Sequence, residues 1–309
     1  LLIRVRAIGL NFADLFVREG VYPNTPKTPF VPGLEISGVV ESAGSSASRF
    51  ALGQRVIAVP IFGGHAEKVV CPAVRASPVP EHVNLAEAAA VPVAFLTASY
   101  AIARAQIQPG DRVLVTAAAG GVGTALLQLL ARSGAITLAL VGSEKKIVLC
   151  RELGATEAGL YAEAGGLAAK YGGRVDVVID AIGGSFFRSL WKLLDLGGRY
   201  VLYGFAAASG KTGLRRLRAL REAASMRLLF PFGFVQSCRT LIGFNLSLLP
   251  REVSSLRSAM ELVWDDWDKA RIRPVLGPRF EFEALPEAHR ALSGRQTTGK
   301  VLIDVSPDL

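Results

Sequence analysis

Cysteine is scarce in this 309-residue chain: Cys71, Cys150 and Cys238 stand far apart, and none belongs to a CxxC pair. That spacing excludes a disulfide framework and a sequence-local zinc site, and it fits buried, reduced thiols in a reducing, cytoplasmic compartment. Histidine is equally sparse, with His65, His82 and His289 isolated and not spaced as metal ligands. No clean apolar run of membrane-spanning length occurs, because the most hydrophobic stretch, Leu228 to Leu249, is broken by Pro231, Gly233, Arg239 and Gly243. A basic head followed by a small-residue cleavage site is also lacking. The chain opens instead on the alternating run Leu1-Leu2-Ile3-Arg4-Val5-Arg6-Ala7, which reads as a chain cut inside a domain. Internal repeats and low-complexity tracts are absent from the sequence. Charged residues make up only 20% and apolar residues 50%, a globular composition far from that of disordered chains. The length allows two packed domains.

The formal net charge of +9 is compatible with nucleic acid, anionic lipid or an anionic cofactor. Much of it is local: Lys211, Arg215, Arg216, Arg218, Arg221 and Arg227 crowd into one segment. Such a segment is either a solvated helix face or a basic surface. With the neighbouring Phe230-Pro231-Phe232-Gly233-Phe234-Val235 it would give weak, salt-sensitive peripheral membrane association. A nucleic-acid partner has only the net charge behind it and is not expected.

Residues 1–95 are rich in glycine, proline and short β-prone runs such as Gly38-Val39-Val40 and Arg55-Val56-Ile57-Ala58-Val59, and they predict a compact, mainly β domain. Residues 96–239 change texture. A helix is predicted around Pro92 to Arg104 and a turn at Pro109-Gly110-Asp111. Then come a strand over Arg112 to Ala118, a helix over Val122 to Ser133, a strand over Ile136 to Val141 and a helix over Glu144 to Leu153 ended by Gly154. Further strands are predicted at Val175 to Asp180 and Tyr200 to Tyr203. Their nearly continuous apolar character suits strands covered on both faces, so the expected fold is α/β, with a Rossmann-type doubly wound parallel sheet. In residues 240–309 the β-prone texture returns and ends in Gly299-Lys300-Val301-Leu302-Ile303, completing the first domain.

Ala117-Ala118-Ala119-Gly120-Gly121-Val122-Gly123 falls where a predicted strand gives way to a predicted helix. Small residues there allow a tight turn and close backbone approach to a pyrophosphate, and the helix N-terminus offers free N–H groups to the anion. Ala119, Gly120, Gly121, Val122 and Gly123 are the candidate cradle, in an AxxGxxG spacing with Ala117 in the first glycine's place. A purely structural turn is the rival reading, and the flanking strands and helices weigh against it. After the next strand stands Gly142-Ser143-Glu144-Lys145-Lys146, where an NAD site usually places an acid for the ribose. A hydroxyl and an ammonium suit a 2′-phosphate, although both lysines also fit an ordinary solvated helix surface.

Asn11-Phe12-Ala13-Asp14, Pro32-Gly33-Leu34-Glu35-Ile36-Ser37-Gly38, Gly53-Gln54-Arg55-Val56, Gly63-Gly64-His65-Ala66-Glu67 and the glycine turn resemble, in order and spacing, the quinone oxidoreductase family that includes zeta-crystallin. Asp180-Ala181-Ile182-Gly183-Gly184, Leu196-Gly197-Gly198-Arg199-Tyr200 and Thr298-Gly299-Lys300-Val301-Leu302 extend the resemblance across essentially the whole chain. Leu1 to Asp14 and Gly243-Phe244-Asn245-Leu246 are most similar to the family's vesicle amine transport protein branch, and the family's opening strand and loop are expected ahead of Leu1. The resemblance implies a zinc-free medium-chain dehydrogenase/reductase with a GroES-like catalytic domain and NADPH as cofactor. It places Asn11 and Thr97 beside the nicotinamide, Tyr22 near cofactor and substrate, and Ser143, Lys146, Tyr161 and Arg295 around the 2′-phosphate. Phe16 departs from a tyrosine found in some members, and Leu34 stands where zinc-dependent relatives carry a ligand histidine.

The chemistry implied is hydride transfer to a quinone or an α,β-unsaturated carbonyl compound, with the protein supplying orientation and exclusion of water. Asn11 could orient a carboxamide or a carbonyl, or could be a turn residue bonding its own backbone; Asp14 reads as structural. Two rivals are an enoyl-thioester reductase and a membrane-associated, lipid-handling protein with a retained cofactor fold. The family resemblance and the β-prone run Thr240-Leu241-Ile242-Gly243-Phe244-Asn245-Leu246 also imply a homodimer paired at sheet edges.

Overall fold

The structure is a computed structural model that describes residues 1–47, 49–208, 221–222, 224, 226, 231–249 and 256–306. Of the basic segment, Lys211, Arg215, Arg216, Arg218 and Arg227 lie outside the described residues, as does Phe230. The chain forms two compact units, Leu1–Thr97 with Leu246–Leu309, and Ala98–Asn245. In chain order the strands of the described residues are β1 (Leu2–Leu10), β2 (Glu35–Ser42), β3 (Arg55–Ala58), β4 (Lys68–Val70), β5 (Ala76–Pro78), β6 (Arg112–Val115), β7 (Ile136–Val141), β8 (Glu157–Leu160), β9 (Val175–Asp180), β10 (Leu194–Leu202), β11 (Thr240–Gly243), β12 (Leu276–Glu281) and β13 (Lys300–Asp304).

In the first unit a seven-stranded sheet runs in the order β12-β13-β1-β2-β3-β5, with β4 also pairing β1. β1 lies antiparallel to both β2 and β13, pairing Val5 with Gly38 and Ala7 with Asp304, so the two ends of the chain meet in one sheet. Its sequence explains its place. Ile3 and Val5 are buried while Arg4 is exposed, the alternation of a one-sided strand. From Ala7 to Leu10 every residue is buried, because Ala86, Ala89 and Ala90 cover the second face at Ala7. The main core gathers Ile3, Val5, Ile8, Ile36, Val56, Val69, Val301 and Ile303, with Leu285 and Leu292 of the helix Leu285–Ser293 packed against it.

The second unit holds a six-stranded sheet in the order β11-β10-β9-β6-β7-β8, in which every pair is parallel. Leu114, Leu138, Val178 and Tyr200 line one face beneath Leu167, Ala168, Phe187 and Leu190, and the helix Gly121–Leu130 buries Leu126 and Leu127. The order reverses between β6 and β9, the point at which doubly wound sheets bind ligands beyond their carboxyl ends. Two of the quoted motifs follow those strands: residues 116–123 after β6 and residues 181–184 after β9.

Three of the differences from expectation have a clear physical cause. The strand predicted over Arg112 to Ala118 ends at Val115, because the Thr116 hydroxyl turns to Asp180 and Ala117 takes a left-handed φ of 51°. β10 starts at Leu194 instead of Tyr200, kept in the sheet through an irregularity near Gly197, whose φ is 71°. β8 was not expected, since Glu-Ala-Gly-Leu carries no β-branched residue and is held by pairing to β7.

Candidate functional site

The glycine turn is shaped by what it cannot accommodate. A Cβ added to Gly123 would run into the Ala117 carbonyl and the backbone of Ala118, so the helix Gly121–Leu130 can sit this close to its strand only with glycine there. Gly120 precedes the helix in an extended conformation, and a Cβ on it would lie 3.2 Å from the Ala117 oxygen. The first turn of any α-helix has N–H groups without intrahelical acceptors, and the residues around this one are themselves small: Ala119, Gly120, Gly121, Val122 and Gly123 fit the close approach of an anionic pyrophosphate.

Below the turn a fully buried carboxylate ties three strands together. Asp180 accepts from the Thr116 hydroxyl at 2.7 Å, the Tyr200 hydroxyl at 2.8 Å, the Ile182 N–H at 2.8 Å and the Gly183 N–H at 2.9 Å. The Thr116 Oγ1 in turn accepts from the Ala181 N–H at 2.9 Å. Burial, followed by the charge of Asp180, raises the Tyr200 and Tyr203 phenols far above their ordinary range, so both remain neutral donors. The network sets the path of the loop after β9, where Gly183 and Gly184 have φ of 63° and 64°. The Asp180-to-Gly184 run is legible in sequence as a motif. The role of its acid is not, because Thr116 and Tyr200 carry no spacing signal.

Three of the four residues assigned to a 2′-phosphate gather in the same unit, at the carboxyl ends of β7 and β8. Ser143 and Lys146 span a short turn in which the Lys146 N–H donates to the Ser143 carbonyl at 3.1 Å. The Tyr161 ring lies against Gly142, where an added Cβ would be 3.5 Å from its Cε2, and meets Phe186 edge-on at 5.5 Å. Lys146 is half-buried, and burial lowers its pKa, an effect a nearby phosphate would offset. Lys145 is exposed. Arg295 belongs to the first unit, where it is exposed with its guanidinium 6.0 Å from the Phe12 ring centre.

The first unit contains a polar cluster that sequence reasoning named only in Asn11. This side chain is buried and donates from Nδ2 to the Gly9 carbonyl at 3.2 Å and to Glu35 Oε1 at 2.7 Å, while Lys300 Nζ donates to its Oδ1 at 2.7 Å. Lys300 and Glu35 are themselves a buried ion pair. Glu35 Oε2 accepts the Val93 N–H at 2.7 Å, and so a carboxylate meets the N-terminus of the helix Pro92–Ala105, where its charge is favoured. Thr97, also buried, follows Val93 by one turn. Tyr22 is half-buried on the loop after the helix Phe12–Arg18, its carbonyl accepting from the Thr25 hydroxyl at 2.7 Å. The sequence signal for Glu35 and Lys300 is a charge set among apolar strand residues, and nothing in their spacing links them.

Beside this cluster Asp14 Oδ2 accepts the Asn11 N–H at 2.8 Å, and its Oδ1 lies 3.9 Å from His65 Nε2. Burial raises the Asp14 pKa to about 7, with Asn11 and Lys300 pulling the other way; burial likewise lowers His65 to about 3 and His289 to about 4. The two imidazoles meet edge-on at 5.4 Å. Among the described residues no group of three His, Cys, Asp or Glu side chains is placed to hold a metal ion, and Leu34 is buried as an apolar residue. No helix of the described residues is long and apolar enough to cross a membrane.

Comparison with known proteins gives a consistent picture. The alcohol dehydrogenase GroES-like domain matches residues 1–96, and the zinc-binding dehydrogenase family matches residues 153–303. The chain is 34% identical to the quinone oxidoreductase-like protein 2 of Bos taurus, over 98% of this chain and 84% of that protein. It is 33% identical to the synaptic vesicle membrane protein VAT-1 homolog of Homo sapiens, over 100% of this chain and 79% of that one. Among solved structures, the quinone oxidoreductase of Thermus thermophilus, determined also in complex with NADPH, superposes with a TM-score of 0.81 at 37% identity, covering 99% and 91% of the two chains. The Escherichia coli quinone oxidoreductase complexed with NADPH gives a TM-score of 0.86 at 25% identity, covering 98% and 91%.

Proposed function

Because the chain belongs to the quinone oxidoreductase-like group of the medium-chain dehydrogenase/reductase family, we propose that it transfers hydride from NADPH to a quinone or an α,β-unsaturated carbonyl compound without zinc. The observation that carries this reading is the glycine turn, which has no room for a side chain at Gly123 and opens a helix at the point where the strand order reverses. NADPH, when bound, supplies the hydride. The backbone of Ala119 to Gly123 binds the pyrophosphate, and Ser143, Lys146 and Tyr161 of the same unit bind the 2′-phosphate. Asn11 and Thr97 orient the nicotinamide end, and Tyr22 borders the acceptor. An acceptor of this class holds the added charge as an oxyanion and draws its proton from solvent, so these residues need to orient it and exclude water, not act as a paired acid and base.

The test is NADPH consumption by the purified chain against a panel of quinones, enones and enoyl thioesters, with and without a chelator. Turnover of quinones or enones that survives chelation is expected. Turnover of enoyl thioesters alone would replace the acceptor class, and an absence of NADPH consumption with every acceptor would overturn the proposal. The assembly we propose is a homodimer.

A further inference from the structure

We propose that Glu35 and Lys300 are positioning residues that hold the Asn11 amide in one of its two orientations, leaving it able to accept one more hydrogen bond and unable to donate any, so that Asn11 takes up an N–H of the nicotinamide carboxamide. The proposal rests on the NADPH reading above and adds to it a polarity that the sequence left open.

The orientation follows from the partners. A primary amide has two N–H donors on nitrogen and two acceptor positions on oxygen, and its two ends differ only in what faces them. Lys300 has an ammonium group, which donates and never accepts, so the atom 2.7 Å from it must be oxygen. On the other side stand the Glu35 carboxylate at 2.7 Å and the Gly9 carbonyl at 3.2 Å, both acceptors, so the atom between them must be nitrogen. Turning the amide over would set its N–H groups against an ammonium and its oxygen against a carboxylate. Both Nδ2 hydrogens are therefore committed, and one of the two acceptor positions on Oδ1 is filled.

What remains of Asn11 is one acceptor position on Oδ1. An oxyanion or a substrate carbonyl needs a donor, so Asn11 does not serve the acceptor molecule; a carboxamide N–H needs an acceptor, and Asn11 fits it. The arrangement is rigidly built. Asn11 directly follows β1 and caps the helix Phe12–Arg18, Glu35 begins β2 and Lys300 begins β13; β13, β1 and β2 are neighbours in one sheet, and all three side chains are buried. A Cβ on Gly9 would collide with the Ala89 carbonyl and with Glu35, so the strand is pressed against the carboxylate that directs the amide. Through Val93, the same carboxylate fixes the start of the helix that carries Thr97.

The experiment compares the affinities of NADPH and of its 3-acetylpyridine analogue by fluorescence titration. The analogue replaces the carboxamide NH2 with a methyl group and keeps the carbonyl. The full chain is used as wild type, as Asn11→Ala and as the double variant Glu35→Gln/Lys300→Met, which removes both charges together because a buried charge left alone destabilises strongly while a neutral pair is often tolerated. Wild type should favour NADPH by about 3- to 10-fold, the size of one hydrogen bond. That preference should fall towards one in both variants, with the melting temperature of each recording that it is folded. An unchanged preference in Asn11→Ala overturns the role of Asn11. Loss in Asn11→Ala with an unchanged preference in the double variant overturns the positioning role of the pair. Should the double variant not fold, Lys300→Arg, which keeps a charged donor facing Oδ1, and Lys300→Met are titrated in its place: a preference kept in the first and lost in the second supports the positioning role, and an equal preference in both overturns it. Failure of wild type to bind NADPH at all would instead overturn the proposed function, and this inference with it.

Discussion

At the scale of single residues, Asp14 makes the clearest pH prediction. Its carboxyl is raised from 3.8 to about 7, chiefly by burial, and it faces the Asn11 N–H, Lys300, Glu35 and His65. An acid whose folded pKa is raised holds its proton more tightly in the folded state, so its contribution to stability is complete below about 4 and is lost as pH rises to about 7. His65 and His289 act in the opposite sense. Both are lowered below 6.5, and their contribution is lost as pH falls from there towards 4 and 3. Asp14→Asn keeps an oxygen for the Asn11 N–H and removes the titration. Its stability relative to wild type, followed by urea unfolding, should therefore improve by roughly 1 kcal/mol per pH unit between pH 4 and pH 7. A constant difference across that range would show that Asp14 does not titrate there.

Lys146 makes the sharpest prediction for cofactor choice. On the placement proposed above, Lys146→Ala takes away one charge-assisted contact to the 2′-phosphate and should weaken NADPH binding by about 10-fold, a value at the low end because the side chain is half-exposed. NADH binding should barely change. Equal loss for both cofactors, or a wild-type preference for NADH, would remove the assignment. Asn11, Thr97, Ser143, Lys146 and Tyr161 enter the proposed site through the family resemblance, and Asn11, Ser143 and Lys146 also through their own chemistry and place in the sequence. Glu35, Lys300, His65 and His289 were not legible as a cluster, because the chain brings them together only by pairing β13 with β1 and seating the helix Leu285–Ser293 on the same sheet.

At the scale of elements, the strand-turn-helix at residues 112–130 sets a strained backbone beside a tight contact. Ala117 holds a left-handed φ of 51°, which costs an L-residue roughly 1 kcal/mol that glycine does not incur. Ala117→Gly should leave stability near neutral or raise it by up to about 1 kcal/mol, since relief of that strain offsets the greater freedom of the unfolded chain. Gly123→Ala should destabilise by about 1–3 kcal/mol through overpacking against Ala117 and Ala118, and should abolish dinucleotide binding by displacing the helix. Urea unfolding with NADPH titration checks both, and a Gly123→Ala protein of wild-type stability and affinity would refute the packing argument. The parallel strands were legible where apolar runs are nearly continuous, as in Ile136–Val141 and Val175–Asp180, because burial on both faces writes itself into the sequence. β8 and the start of β10 escaped because neighbouring strands hold them in place, and their own residues do not predict them.

At the scale of the whole molecule, the sheet of the second unit ends on β11, which pairs with β10 on one side and is the terminal strand among the described residues. An edge strand presents a row of backbone donors and acceptors, and natural proteins cover such rows or protect them with charge. Thr240-Leu241-Ile242-Gly243 carries no charge, and Leu241 is 37% exposed, so among the described residues this edge is apolar and has no strand paired on its outer side. Pairing two copies of β11 antiparallel across a two-fold axis satisfies both edges with one self-complementary contact, and the geometry closes at a dimer. Light scattering at micromolar concentration should therefore give twice the 32.8 kDa of the chain. Leu241→Lys places a charge on the edge and should shift the mass towards one chain while leaving the far-ultraviolet circular dichroism unchanged, because the substituted side chain already reaches solvent. A wild-type mass of one chain, or a Leu241→Lys protein that remains dimeric, would exclude β11 as the contact.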